Sequence, residues 1–259
     1  MQLGIKNKKA IVCGGSSGLG FAIAKSLAAE GADVLLVART PEKLELAARS
    51  ISEETDNSVD WISADLEKES DRQNVLEHCT SPDILINNAG GPPIGDFSMW
   101  SSEDWHRAID TNLLSALGLI QLSIEQMKAK QFGRIVCITS HMVKAPLGLL
   151  SLSNAARSAL TGVVGGIARD VASYNITLNN VLPGQFDTGR LQSNHQMIAD
   201  RQNLDLDAVR NNYRSRIPAG RFGSPNELGD FCTFLCSEQA GYITGQNFLL
   251  DGGEYPGLL

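Results

Sequence analysis

Short apolar runs alternate with longer segments of helical periodicity along almost the whole chain. The runs at 34–38 and 84–86 contain no polar residue. Strands without polar alternation are typically buried on both faces, as in a parallel sheet between two helix layers. The sequence therefore predicts an α/β fold, in which a single doubly wound domain has a seven-stranded parallel sheet with helices on both faces.

The same pattern gives the predicted elements. We predict strands at 8–13, 33–38, 59–63, 83–87, 133–139, 176–182 and 246–250, and helices at 18–30, 41–54, 67–79, 102–130, 152–173 and 225–237. Pro41 and Pro225 suit the first turn of their helices, and Thr40 and Ser224 precede them as N-cap candidates.

One segment, 184–217, departs from this pattern because it is polar and rich in Asn, Gln and Arg. We predict an irregular insertion with weakly amphipathic pieces that covers the carboxyl edge of the sheet as a substrate lid. Tyr213 could close over the site from this lid, although packing within the lid is the favoured alternative. The cationic residues of the segment are Arg190, Arg201, Arg210, Arg214 and Arg216. They hint at an anionic substrate, and a solvated helix face explains them at least as well.

The composition and net charge argue against several classes of binding partner. The chain has 259 residues, is 42% hydrophobic and carries a net charge of −7, so nucleic acid and anionic membrane are not expected partners. Without a signal peptide or a membrane-length apolar run, we expect a cytoplasmic protein. Cys232 and Cys236 share a helix face, but no further ligand accompanies them, so we interpret them as buried thiols and predict no metal site.

A glycine-rich turn leads from the first strand into the first helix with the spacing G-x-x-x-G-x-G. Gly14 permits a sharp turn, Gly18 leaves room for a phosphate, and Gly20 lets the helix pack closely on the strand. A helix N-terminus at the carboxyl edge of a strand offers free N–H groups to a pyrophosphate, although a plain tight turn is the alternative. The predicted phosphate site comprises Gly14, Ser16, Ser17, Gly18, Leu19 and Gly20.

With the sequence Asn87-Asn88-Ala89-Gly90 after the fourth strand, the chain resembles the short-chain dehydrogenase/reductase family over nearly its whole length. The other motifs that carry the resemblance are the glycine turn, Asp65, Asn112, Ser140, Pro183-Gly184 with Thr188, Thr244-Gly245-Gln246 and Asp251-Gly252-Gly253. The resemblance implies a nucleotide-binding Rossmann sheet and, usually, a homotetramer.

The resemblance also implies the cofactor contacts. Asp65 would meet the adenine edge, unless it instead caps the helix from residue 67. Asn87, Ala89 and Gly90 would line the nicotinamide-side ribose, unless they simply end a strand. The other implied contacts are Leu66, Pro183, Gly184 and Thr188.

The residues after the second strand favour NADP(H) over NAD(H). NAD-binding proteins usually carry Asp or Glu there, bound to the ribose 2′-hydroxyl. This chain has Val37-Ala38-Arg39-Thr40 instead. Arg39 could bind a 2′-phosphate, whereas in isolation it would be interpreted as a solvated surface charge.

The catalytic motif departs from the family. Asn112 and Ser140 match, but the family's Tyr and Lys, spaced Y-x-x-x-K, fall at Ser153 and Arg157. A serine hydroxyl is a much weaker acid than a tyrosine activated by a lysine. Arg157 could hold the ribose hydroxyls, but it does not give up its proton. We predict the catalytic set Asn112, Ser140, Ser153 and Arg157, with His141 as a weaker candidate proton donor.

We therefore expect an NADP(H)-dependent oxidoreductase that acts on a small carbonyl or alcohol substrate, similar to a 3-oxoacyl reductase but with a non-standard acid/base set. Two alternatives stay open. One is an NADP(H)-binding sensor or scaffold without turnover, and the other is a non-redox lyase or isomerase that uses the same cleft.

Apolar stripes on two long helices also predict self-association as a homotetramer or homodimer, although core packing explains most of them. The stripe residues are Leu113, Leu114, Leu117, Ile120 and Ile124, with Leu160, Val163, Val164 and Ile167.

Overall fold

The computed structural model describes residues 2–257, which include a seven-stranded sheet. Its strands are β1 (Lys9–Cys13), β2 (Asp33–Ala38), β3 (Val59–Ser63), β4 (Ile84–Asn87), β5 (Gly133–Ile138), β6 (Ile176–Pro183) and β7 (Asn247–Leu250). Neighbouring strands are parallel, in the order β3-β2-β1-β4-β5-β6-β7. The order reverses between β1 and β4, and doubly wound sheets bind ligands at the carboxyl edge beside such a switch point.

Helices cover both faces of the sheet, as predicted. They are α1 (Gly18–Ala29), α2 (Pro41–Thr55), α3 (Glu69–His78), α4 (Ser102–Ile109), α5 (Ser115–Lys130), α6 (Ser151–Val171), α7 (Gly189–Gln202), α8 (Leu206–Arg214) and α9 (Pro225–Leu235). One hydrophobic cluster joins α1, α2 and α9 to the sheet, and a second joins α3, α5 and α6 to the other face. Among the described residues we find no helix long and apolar enough to span a membrane.

The two clusters explain the continuous apolar runs. Successive side chains of a strand point to opposite faces, so a strand with a helix layer on each side needs apolar residues at every position. In β1, Val12 belongs to one cluster and Ile11 to the other, and both are fully buried.

The prediction of one helix over 102–130 is wrong in its middle. A π-helix, Asp110–Leu114, separates α4 from α5. Apolar residues continue on both sides of it, so the periodicity alone gives no sign of the extra residue in the turn. Single-turn π-helices occur often at functional sites, and this one contains the buried Asn112.

The prediction of an irregular segment at 184–217 is also wrong, because α7 and α8 are regular helices. Few apolar residues anchor them, and their N-caps supply part of the missing stabilisation. The Thr188 hydroxyl accepts a hydrogen bond from the third N–H of α7 at 3.3 Å. The Asp205 carboxylate accepts two from the first turn of α8, at 2.9 and 3.2 Å. The ring of Tyr213 stacks on buried His195 with centroids 4.7 Å apart. Tyr213 therefore packs α8 on α7.

The cysteines are buried and free. Burial raises the pKa of the Cys13 and Cys137 thiols to about 12, so they act as small core residues. Cys232 and Cys236 are also buried, with pKa values raised by burial, as the interpretation as core thiols predicts. Within residues 2–257, no three His, Cys, Asp or Glu side chains are grouped as a metal site would require.

Candidate active site

The glycine turn between β1 and α1 has the backbone that its sequence predicts. Gly14 and Gly18 have φ values of +61° and +59°, which residues with a side chain rarely adopt. A Cβ at Gly20 would lie 2.2 Å from the Gly14 carbonyl oxygen. The three glycines therefore hold the first turn of α1 against the end of β1, with its N–H groups at the switch point.

Two helix N-termini lie close together beside this turn. Ser17 is the N-cap of α1, but its side chain makes no capping hydrogen bond. Ser16 and Leu19 are half-buried in the same turn. The methyl group of Thr188, the N-cap of α7, lies 3.7 Å from the position that a Cβ of Gly18 would take. The N-terminal ends of both helix dipoles are positive, so the space between them suits an anion such as a pyrophosphate.

The end of β2 lies next to the glycine turn. The strand register pairs Cys13 with Val37, and the Gly15 N–H donates to the Val37 carbonyl at 3.4 Å. Arg39 follows at the exposed edge, where its carbonyl accepts a hydrogen bond from the Ser63 hydroxyl at 3.1 Å. Within residues 2–257 the Arg39 guanidinium has no hydrogen-bond or ion-pair partner.

The loop after β4 is fixed by a residue to which the sequence analysis assigned no role. The Asn88 amide donates to the Cys13 carbonyl at 3.3 Å and so ties this loop to the glycine turn. Asn87 is buried, and its amide contacts Cys137 Sγ at 3.6 Å. The Asn-Asn pair thus connects β4 to a strand on either side.

Asp65 does not cap the following helix, so that alternative is wrong. The helix α3 begins at Glu69, with Lys68 as its N-cap residue. The Asp65 carboxylate instead accepts the Glu67 N–H at 3.4 Å, while its own N–H donates to Asp71 Oδ2 at 2.8 Å. This pair of bonds fixes the turn that follows β3.

A cavity of about 20 Å³ lies below this carboxyl edge, large enough for one water molecule. Its lining includes Leu66, Asn87, Ala89, Asn112 and Arg157. The Asn112 amide donates to the Ala108 carbonyl at 3.4 Å, while its buried Oδ1 has no partner among the described residues. The fold therefore gathers residues from four separate sequence motifs around one small polar space.

The buried Arg157 side chain connects the other candidate residues. Its Nε donates to Ser153 Oγ at 3.2 Å, one helical turn earlier. Its Nη1 donates to the carbonyls of Ile138 and Thr139 at 2.8 and 2.9 Å. Its Nη2 donates to the Ala89 carbonyl at 3.1 Å. One guanidinium therefore joins α6 to the ends of β5 and β4.

The two candidate serines have hydroxyl oxygens that accept hydrogen bonds from the protein. Ser140 Oγ accepts the Met142 N–H at 3.2 Å, and Ser153 Oγ accepts from Arg157. Each hydroxyl proton remains to be donated to another acceptor. Both residues are half-buried.

The charge on Arg157 is expensive to bury. Desolvation, and secondarily the nearby Arg190 guanidinium, lower the pKa of Arg157 to about 10. It still carries its proton at neutral pH, so it can polarise a neighbour but is not a proton donor. Arg190 Nη2 donates to the Gly91 carbonyl at 2.9 Å. The only sequence signal for this contact is the position of Arg190 two residues after Thr188.

The His141 ring is buried and makes a structural hydrogen bond. Its Nδ1 lies 2.9 Å from the Pro183 carbonyl, so that nitrogen carries a proton. Its Nε2 is buried, 4.0 Å from a carboxylate oxygen of Glu254, and Gln185 donates to the other oxygen at 3.1 Å. The ring therefore fixes the turn at Pro183 and Gly184 against the end of β5.

Comparison with known proteins decides the family. The sequence model described as enoyl-(acyl carrier protein) reductase matches residues 14–254. The 3-oxoacyl-[acyl-carrier-protein] reductase FabG of Chlamydia trachomatis is 32% identical over 252 residues, which are 95% of this chain and 97% of that protein. The chain belongs to the short-chain dehydrogenase/reductase family. FabG of Escherichia coli is also 32% identical, over 98% of this chain and 99% of its own length.

The structure of this short-chain dehydrogenase/reductase is similar to that of L-sorbose reductase from Gluconobacter frateurii, solved with NADPH and L-sorbose. The TM-score is 0.95 at 31% identity, and all of both chains is covered. Ser153 and Arg157 stand where the family resemblance implies Tyr and Lys, and they contact each other directly.

The hydrogen bonds of Arg157 predict that its loss destabilises the fold. In Arg157→Met, two buried carbonyls and the partly buried carbonyl of Ala89 lose a donor, so we expect the free energy of unfolding to fall by about 3 kcal/mol or more. Arg169→Met is the matched control, since Arg169 is an exposed residue of the same helix. It should change stability by less than about 0.5 kcal/mol. Equal urea midpoints for the two variants would contradict this stabilising role of the Arg157 hydrogen bonds.

Proposed function

We propose that the protein is an NADP(H)-dependent oxidoreductase that reduces a carbonyl group of a small molecule or oxidises the corresponding alcohol. The observation that carries this proposal is the Ser153–Arg157 contact at the carboxyl edge, beside a complete set of cofactor motifs. The relatives are reductases, and one similar structure contains NADPH. They do not favour a sensor without turnover or a non-redox lyase.

The residues present fit this cofactor. The first turns of α1 and α7 would bind the pyrophosphate, and the unpartnered Arg39 guanidinium would bind a 2′-phosphate, which is the basis for preferring NADP(H) over NAD(H). The remaining cofactor contacts would come from Asp65, Leu66, Asn87, Ala89, Gly90, Pro183 and Gly184, with the last N–H of Arg157 Nη2 directed at the ribose. When bound, the nicotinamide supplies or accepts a hydride at the substrate carbon.

Ser153 would supply the proton that a reduced carbonyl oxygen needs. The hydrogen bond from Arg157 Nε stabilises negative charge on Ser153 Oγ, so it makes the hydroxyl a stronger acid than a free serine. Ser140 would donate a second hydrogen bond to the same substrate oxygen. The carbon gains a hydride and the oxygen gains the Ser153 proton, which solvent then replaces. Asn112 would hold a water molecule or a substrate polar atom through its unpartnered Oδ1.

The segment 184–217 would act as the substrate lid, because α7 starts beside the glycine turn and carries Arg190 to the loop after β4. The five free thiols fit a reducing compartment, so we propose the cytoplasm as the site of action.

Self-association is part of the proposal. Within the predicted stripes, Ile120, Leu160 and Val164 are buried in the core, whereas Leu114 and Val163 are 47% and 39% exposed. The exposed members are not explained by core packing. A contact between copies, in a homodimer or homotetramer, would bury them.

The proposed contact of Arg39 with a 2′-phosphate predicts a preference for NADPH over NADH. NADPH should raise the melting temperature more than NADH does, because only NADPH has a 2′-phosphate to pair with the guanidinium. Arg39→Ala should weaken NADPH binding about 10-fold or more, the value of a charge-assisted hydrogen bond, and abolish the preference. Arg49→Ala, which removes an exposed arginine of α2, is the control. Equal stabilisation of the wild type by the two cofactors would refute the assignment.

The proposed role of Ser153 as the proton donor predicts that the protein turns over a carbonyl substrate. Wild-type protein should oxidise NADPH with at least one member of a ketone panel. Ser153→Ala should lower kcat about 100-fold, the usual contribution of a positioned acid, with an unchanged Kd for NADPH. Ser158→Ala, at an exposed position of α6, should retain full activity. The acid role of Ser153 is wrong if both variants have the same kcat.

Assembly should be visible by sedimentation. The wild type should sediment as a species larger than its 27.8 kDa monomer. Leu114→Glu should shift it toward the monomer, because a carboxylate is costly in an apolar interface. Leu204→Glu, at an equally exposed position between α7 and α8, should leave the assembly intact. A wild type that is monomeric at all accessible concentrations would exclude the interface.

A further inference from the structure

Arg190 reaches from the second residue of α7 across the cleft mouth to the loop that follows β4. Its Nη2 donates to the carbonyls of Gly91 and Pro92, at 2.9 and 3.4 Å. These bonds orient the guanidinium but use only one of its nitrogens. Its Nε and Nη1 have no acceptor among the described residues, so their N–H groups are available to a ligand.

A second guanidinium lies behind the first. A Cβ built on Gly91 would be 2.9 Å from Arg190 Nη2 and 3.9 Å from Arg157 Nη2. The two side chains therefore converge on the same side of the loop. Gly91 leaves the space that they share open, because any larger residue would press on the Arg190 guanidinium.

Neither cation has a counter-ion in the part of the chain that the structure describes. Among residues 2–257, no carboxylate lies within ion-pair distance of Arg157 or Arg190. Asp187, the acidic residue nearest to Arg190 in the chain, pairs with Arg210 at 2.8 Å instead. Desolvation lowers the pKa of Arg190 and, together with the Arg190 charge, that of Arg157. Two neighbouring positive charges in an acidic protein form a local field that attracts an anion.

We propose that Arg190, with Arg157 behind it, binds the carboxylate of an oxo-acid substrate. The inference rests on the proposed function, since it assigns a substrate class to the same cleft. Arg190 would bind the carboxylate through a charge-assisted hydrogen bond from an N–H of its Nε or Nη1, while Nη2 stays on the loop carbonyls. Arg157 would contribute its charge, while its hydrogen bonds stay on the backbone and on Ser153.

The alternative source of an anion is the cofactor. Its pyrophosphate would lie between the first turns of α1 and α7, where Thr188 approaches Gly18. Arg190 instead bonds to the Gly91 and Pro92 carbonyls, and its Nη1 lies 3.8 Å from the position that a Cβ of Gly90 would take, beside the motif that would line the nicotinamide-side ribose. Its position thus favours the substrate over the cofactor phosphates, and separate measurements distinguish them.

The kinetic test measures KM for 3-oxobutyrate and for its neutral methyl ester. The variants are Arg190→Ala and Arg190→Lys. The control is Arg201→Ala, which removes an exposed arginine at the other end of α7. We expect Arg190→Ala to raise KM for the acid about 10-fold or more and to leave the ester within about 2-fold. Arg190→Lys should be intermediate, because it keeps the charge and loses the fixed directions of the guanidinium N–H groups. Gly91→Ala should also raise KM for the acid, since its Cβ displaces the guanidinium. Arg201→Ala should behave as wild type.

An equilibrium test does not depend on turnover. Calorimetry on the NADP⁺ complex compares butyrate, octanoate and phenylacetate with their amides, and fluorescence gives the Kd for NADPH. Tighter binding of the acids, lost in Arg190→Ala with NADPH binding unchanged, supports the subsite. Equal binding of acids and amides overturns it, even if some ketone is reduced. An Arg190→Ala defect confined to NADPH also overturns it and assigns Arg190 to the cofactor. Absence of NADPH oxidation with every ketone refutes the proposed function, while the calorimetry still decides the anion site.

Discussion

The buried Arg157 guanidinium is the interaction on which the candidate site depends. It contacts Ser153 on its own helix, the backbone at the end of β5 and the Ala89 carbonyl after β4. A buried cation without a carboxylate partner is costly, and its hydrogen bonds offset that cost only where all the acceptors are in place. The arrangement therefore fixes the relative positions of α6 and the ends of β5 and β4.

The two halves of the cleft differ in how they are specified. The shape of the cofactor half is determined by the backbone. The positive φ values of Gly14 and Gly18, the contact of Gly20 and the N-termini of α1 and α7 leave little freedom. The substrate half depends on individual side chains. There, Ser153 and Arg157 stand where the family resemblance implies a tyrosine and a lysine, and Arg190 adds a charge that the cofactor motifs do not require.

Hydrophobic periodicity and local rules were enough to predict most of the fold. Apolar runs in β1, β2 and β4 indicated the doubly wound sheet, because a strand buried on both faces has no polar alternation. The π-helix around Asn112 was not predictable, since one extra residue in a turn leaves the apolar pattern on both sides unchanged. The helices α7 and α8 were missed because few apolar residues anchor them, and the Thr188 and Asp205 caps supply part of their stability instead. The convergence of Arg157 and Arg190 depends on tertiary contact, to which no sequence spacing corresponds.

We propose that this short-chain dehydrogenase/reductase transfers hydride with a serine–arginine pair in place of the family's tyrosine and lysine. The most direct measurement is deuterium transfer from NADPH labelled at the nicotinamide C4, followed by mass spectrometry of the product alcohol. We expect the wild-type protein to place the label on the carbinol carbon, and Ser153→Ala to do so far more slowly at saturating cofactor. A protein that is saturated with labelled NADPH and transfers deuterium to no carbonyl compound would contradict this proposal.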